Sequence, residues 1–246
     1  MKRFNTNEFF KFLIFLFLSL FLFNLTSTGR IKLFIAPRII VYLNIFQVFL
    51  SLLTVYQFGK IFTTISNRPS SKVIILFIFT ILIGFGASHA GIDTTIVDTK
   101  GVKAVNKLAN IAGQMTPEER KRKLPLNIND NNFVNTLSDV FQHINDYNGR
   151  AITLSGFVHK QDGLNNNEFI ISRLYMSCCA ADAQIIGPIG RLRDSTELKE
   201  GQWVTVQGKL SAKSQATDGQ LTTTPVVIID SVKTIPKPNS PYVYNN

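Results

Sequence analysis

Cysteine is scarce in this 246-residue chain: there are two, Cys178 and Cys179, side by side. That excludes a disulfide scaffold and any zinc framework built on Cys-x-x-Cys pairs. Histidine is almost as rare, with three residues and no metal-binding pair among them. Acidic residues are missing from the front of the chain. Up to Ala90 one of them, Glu8, stands against nine Lys/Arg, whereas from Gly91 onward 17 Lys/Arg face 15 Asp/Glu. The net charge of +10 is therefore mostly a flank charge of the first 90 residues. A nucleic-acid-binding face needs Lys and Arg clustered on the folded domain, so no nucleic-acid partner is expected. No nucleophile-elbow context accompanies Asp182, Ser or His, and the chain reads as a non-enzyme.

What the front of the chain does have is apolar length. Of 20 Phe, 16 precede Gly91, and the apolar runs fall near 9–25, 39–58 and 71–88. Lys11 interrupts the first run near its end, where it reaches the headgroups. Three such runs exceed what a soluble core would bury, so residues 1–90 are expected to form three transmembrane helices. A cleaved signal peptide is the rival reading of the first run, although no clear A-x-A-like site follows at residues 24–29. Lys2, Arg3, Lys11, Lys60, Arg68 and Lys72 outnumber Arg30, Lys32 and Arg38 on the opposite side. The N-terminus is thus expected inside and the C-terminal domain outside the cytoplasm, in a multi-pass protein of the cell membrane. No charged residue lies at the centre of a run, and neither broken helices nor repeats suggest a transporter core. Asn44 and Gln47, three apart on one helix face, are expected to hydrogen-bond a neighbouring helix.

Residues 91–129 read as a connector. In it Thr116-Pro117-Glu118-Glu119 forms a capping box, and the basic run 120–123 is a solvated helix face. Asp130 is placed to cap an amphipathic helix whose apolar face is Phe133, Leu137, Val140, Phe141 and Ile144, stopped by Asn148-Gly149. His143 beside that stripe is a surface or core-edge residue. Five β-prone segments follow at 151–159, 168–179, 183–191, 203–210 and 226–232, punctuated by Asp162-Gly163, Glu200-Gly201 and Asp218-Gly219. Gly156 and Gly208 sit inside strands, where a tight barrel bends. The fold class is therefore an α-helical membrane region followed by a small all-β OB-like barrel with a preceding helix, over residues 130–236, and a tail at 237–246. A sandwich fragment is the alternative.

Concentrated chemistry occurs once, from Arg173 to Asp182. Neighbours on a strand point to opposite faces, so Cys178 and Cys179 share a side only if the strand bends or ends there. A bend would let both thiols and Asp182 converge on zinc, copper(I) or another soft metal, or form a redox pair, with Arg173 in support. Against this stands a plainer arrangement, with one buried thiol between the second and third strands, one half-buried thiol, and Asp182 capping a turn. No cofactor is otherwise expected.

The segment ending Cys-Cys-Ala-Ala-Asp-Ala resembles the YcgQ-like membrane protein family, as do Ala36-Pro37-Arg38, Lys100-Gly101, Tyr147-Asn-Gly149, Gly156-Phe157-Val158, and Gly201-Gln-Trp203-Val204 with Gly208. The resemblance implies an accessory subunit working with a larger, YcgR-like polytopic permease. In that family the segment between spans two and three can be rich in His; here residues 59–71 have none, which counts against a metal-handling loop. The expectation is a permease-associated subunit whose external barrel gates or captures solute, with a metal-binding or redox-sensing module as the alternative.

Overall fold

Phenylalanine and leucine fill helix α1 (Thr6–Ser27), whose N-terminus is capped by the Asn5 side chain accepting the Glu8 amide at 3.3 Å. The computed structural model describes residues 4–62, 124–194, 197–217 and 220–245, together with Phe79, Ile83, Gly86, Thr116 and Arg120. It divides into two units, Met1–Asp93 and Thr94–Asn246. In the first, Gly29 takes a left-handed turn at φ 71° before a short 3-10 turn, and Pro37 then opens helix α2 (Pro37–Lys60). At about 1.5 Å per residue, the 22 and 24 residues of these helices reach across a hydrocarbon layer of about 30 Å. Both are apolar enough to cross a membrane. The run at 71–88 falls outside the described residues except for Phe79, Ile83 and Gly86, so two membrane-length helices are described rather than the three expected.

Polar groups join α1 to α2 at two levels. Gln47 donates through Nε2 to the Ser19 carbonyl and hydroxyl, both at 3.0 Å, and Ser19 and Ser51 hydroxyls lie 3.2 Å apart. Nearer the α1 N-terminus, Gln57 donates to Glu8 at 2.6 Å, and the Phe12 and Phe58 rings sit 5.5 Å apart. Gln47 thus meets a neighbouring helix, as its position suggested. Asn44 is exposed and has no hydrogen-bond partner among the described residues.

From residue 124 onward the described part of the second unit runs through β1 (Leu126–Asn127), then α3 (Phe133–Gln142) and α4 (Ile144–Tyr147). The predicted apolar face is buried through Phe133, Leu137, Val140 and Ile144, with Phe141 partly covered. The helix does not run on to Asn148: the backbone leaves helical geometry at His143 (φ −128°, ψ 38°). Nor does Asp130 cap it. Asn132 holds that position, and Asp130 instead pairs with Arg173 at 2.7 Å. Of the capping box read at 116–119, Thr116 is described, and its carbonyl accepts the Arg120 amide at 3.1 Å; the rest lies outside the described residues.

Strands β2 (Ala151–His159), β3 (Glu168–Tyr175), β4 (Gln184–Ile186), β5 (Ile189–Leu192), β6 (Trp203–Thr217), β7 (Gln220–Thr234) and β8 (Tyr242–Val243) follow. β2 pairs antiparallel with β3, and β3 with β5; β5 runs parallel to β7, β7 antiparallel to β6, and β6 antiparallel to β2. The ring is closed, a β-barrel without free edges around its girth. Short β4 extends the β5 pairing along β3 beyond the Gly187-Pro188 interruption, because proline cannot donate to a ladder. β1 lies parallel on β2 and β8 parallel on β3, so parts of the connector and of the tail belong to the sheet. At both interior glycines a neighbouring strand's backbone passes close by. A Cβ at Gly156 would lie 2.7 Å from the Ser172 carbonyl oxygen, and one at Gly208 2.2 Å from that of Ile228.

A buried carboxylate, Glu168, links three strands. It accepts from Arg191 of β5 at 2.7 and 3.0 Å and from Lys213 of β6 at 3.0 and 3.1 Å. Burial pushes its pKa up, but the Arg191 and Lys213 hydrogen bonds outweigh that and hold it below the ordinary 4.5. A folded-state value below the unfolded one means the stabilisation is complete above pH 4.5 and is lost as pH falls through the lower folded value. Glu168→Gln is therefore expected to cost about 2 kcal/mol at pH 7. The difference from the parent should shrink in urea titrations carried below pH 4.5. An equal gap at all pH values would remove Glu168 from the acid limb.

Candidate functional site

The cysteines occupy a turn. β3 ends at Tyr175 rather than reaching Cys179, and Cys179 leads into a 3-10 turn, Ala180–Asp182. With the strand ended, side-chain alternation no longer applies, and the two Sγ atoms approach to 3.6 Å. Cys178 is exposed and Cys179 half-buried. This corrects the expectation of a buried thiol between the second and third strands: the chain leaves the barrel before it reaches the pair. Asp182 does cap the turn, accepting the Ser177 amide at 3.1 Å and the Cys178 amide at 2.7 Å. Hydrogen bonds to Asp182 and to Cys179 push the Cys178 thiol up to about 11. Burial works to raise the Asp182 carboxyl, but the Cys178 thiol and the turn amides together hold it below its usual range.

Arg173, read from the sequence as support for that turn, points elsewhere. Its buried guanidinium pairs with Asp130 at 2.7 Å and donates to the carbonyls of Pro241 at 3.4 Å and Tyr242 at 3.5 Å. It also lies 5.8 Å from the Phe133 ring centre and 5.2 Å from that of Trp203. Arg173 is thus a clasp between the start of α3 and the strand β8. Among the described residues, no three His, Cys, Asp or Glu side chains are arranged to hold a metal ion. The site therefore offers two thiols and a carboxylate already committed to backbone amides.

Sequence reasoning missed a second polar cluster. Asp139 lies on α3 between Leu137 and Val140, with its side chain wholly buried. It accepts from the Tyr147 hydroxyl, faces Arg120 Nε at 3.7 Å and lies 3.3 Å from His143 Nδ1. Burial, then the hydrogen bond to Asp139, drives the Tyr147 hydroxyl far above its ordinary pKa. His143 is thus engaged with Asp139, whereas Asp182 is engaged with its own turn. An acidic residue bordering the apolar stripe, eight positions before a tyrosine, was the available signal.

Two helices of membrane-crossing length, followed by a closed β-barrel carrying an exposed dithiol turn, define a membrane-associated protein with a barrel domain. The chain belongs to the DUF1980 family: the DUF1980 C-terminal domain matches residues 106–245 and the N-terminal domain residues 10–103. It is 24% identical over 204 residues to the protein YcgQ of Bacillus subtilis, covering 72% of this chain and 71% of that one. It is also 27% identical over 119 residues to a Streptococcus mutans protein named as a subunit of a two-component membrane permease complex. That match covers 48% of this chain and 42% of the relative. Among solved structures, a small single-stranded DNA-binding protein from Streptomyces coelicolor aligns at 19% identity, over 36% of this chain and 95% of that one, with a TM-score of 0.24. A mitochondrial single-stranded DNA-binding protein from S. cerevisiae aligns at 10% identity, over 36% and 96%, with a TM-score of 0.25. Scores this low give the likeness no weight for ligand or mechanism.

Proposed function

We propose that the protein is a non-enzymatic accessory subunit of a membrane permease complex. Its helices, three with the run at 71–88, sit in the bilayer with the N-terminus inside and dock on a larger polytopic partner. The barrel domain stands on the extracytoplasmic side, where it gates or captures solute. Taken in chain order, the ring strands run first, second, third, fifth, fourth and back to first, with third and fifth parallel. This is the arrangement we read as an OB-type barrel. The name of the Streptococcus mutans relative supports the choice of complex.

Asn44 carries the reading. Polar amides within a bilayer are satisfied by helix–helix hydrogen bonds, each contributing about 0.6–2 kcal/mol. Gln47, one turn away, already bonds Ser19 of α1, while Asn44 is exposed without a partner among the described residues. We assign that partner to a helix of another protein, and a crosslink from position 44 to the run at 71–88 of this chain would assign it instead to the chain's own third apolar run. Placing the photo-crosslinking residue p-benzoylphenylalanine at position 44 in native membranes is expected to give an adduct with a polytopic membrane protein. The same residue at position 50, where Leu50 is buried, should give none. Irradiation that yields lipid adducts alone from position 44 would overturn the docking face.

A further inference from the structure

We propose that Cys178 and Cys179 form a binding site for a soft monovalent cation of low coordination number, copper(I) being the ion to test, with Asp182 as positioning residue. The inference goes beyond the permease reading and does not depend on it.

Three observations carry it. The two thiols leave one turn on the same side, 3.6 Å apart, with Cys178 exposed and Cys179 half-buried, so an ion reaches both without disturbing the barrel. Asp182 accepts the amide of Ser177 on one carboxylate oxygen and that of Cys178 on the other, which fixes the turn that holds the thiols together. Among the described residues no further His, Cys, Asp or Glu joins the pair in a metal-binding group.

The donor set then selects the ion. Zinc in a structural site takes four ligands, and calcium or magnesium takes six or more oxygens, so two thiols satisfy none of them. Thiolate is the soft ligand that suits copper(I). On binding, two S–H bonds break and two Cu–S bonds form. Two protons go to solvent, the site gains one net negative charge, and no electron is transferred.

The test uses the full chain in mild detergent, reduced and free of oxygen, titrated with copper(I) against the chromophoric chelator bicinchoninate. One copper per chain is expected in the parent. Cys178→Ser and Cys179→Ser should each weaken binding by at least roughly 100-fold, and Asp182→Asn by about tenfold with the stoichiometry kept, the range seen when an outer group that orients a ligand is removed. Thermal unfolding without metal should be the same for the parent and both Ser variants, because the thiols lie outside the core. No copper retained against the chelator, parent-like binding by either Ser variant, or zinc(II) competing on equal terms would each overturn the site. Parent-like affinity in Asp182→Asn would overturn the positioning role.

Discussion

Gly208→Ala is expected to destabilise the barrel unit by about 3 kcal/mol, the upper part of the range for forcing atoms into a packed core. The added carbon would sit 2.2 Å from the Ile228 carbonyl oxygen and 3.0 Å from its carbon. Those are backbone atoms of β7, so no rotamer change relieves the clash. Gly208 also marks the register shift between β6 and β7 and pairs with Ile152 of β2. Any retreat of β6 therefore disturbs two ladders at once. For a unit of this size, about 3 kcal/mol lowers the melting temperature by roughly 6–12 °C. A melt within about 2 °C of the parent would show that the strands yield there at little cost.

Asp139→Ala should cost as much or more, about 3–5 kcal/mol, because it removes one member of a buried charged network and strands the others. Tyr147, itself wholly buried, would lose the acceptor for its hydroxyl, and Arg120 a carboxylate 3.7 Å away. Asp139→Asn keeps an acceptor for Tyr147 and loses only the charge, so it should recover part of the deficit. Urea unfolding of the three proteins side by side measures both effects. Equal losses in the Ala and Asn variants would assign the whole contribution to charge, and no loss in either would mean that the network adds nothing to stability.

How much of this the sequence disclosed depended on whether the determining contacts were local. β2 was legible to the residue, because alternation and the flanking turn residues act within nine positions. The apolar face of α3 was legible for the same reason. β6 and β7 run seven and six residues further than hydrophobic alternation suggested at Leu210 and Val226, because their outer halves are polar and paired to each other as far as Thr217 and Gln220. Asp218-Gly219 was the turn signal that held the clue. Arg173 was misread because its partners Pro241 and Tyr242 lie 68 and 69 positions away. The cysteine turn was half legible: Asp182 as a turn cap is a local matter, whereas the end of β3 at Tyr175 coincides with the last rungs from β4 and β8.

The way the chain enters the barrel unit has a mechanical consequence. β1 lies parallel on β2, in register at Leu126↔Ile152 and Asn127↔Thr153, and the Ile128 amide donates to the Thr153 carbonyl at 2.8 Å. Just upstream, Arg150 donates to the carbonyls of Leu124 and Arg120. Tension applied parallel to β1 is therefore borne as shear, with the rungs and the arginine clamp loaded together. It does not peel them apart one at a time. Such a pull bears on β2, the strand shared by the β3 and β6 seams of the ring.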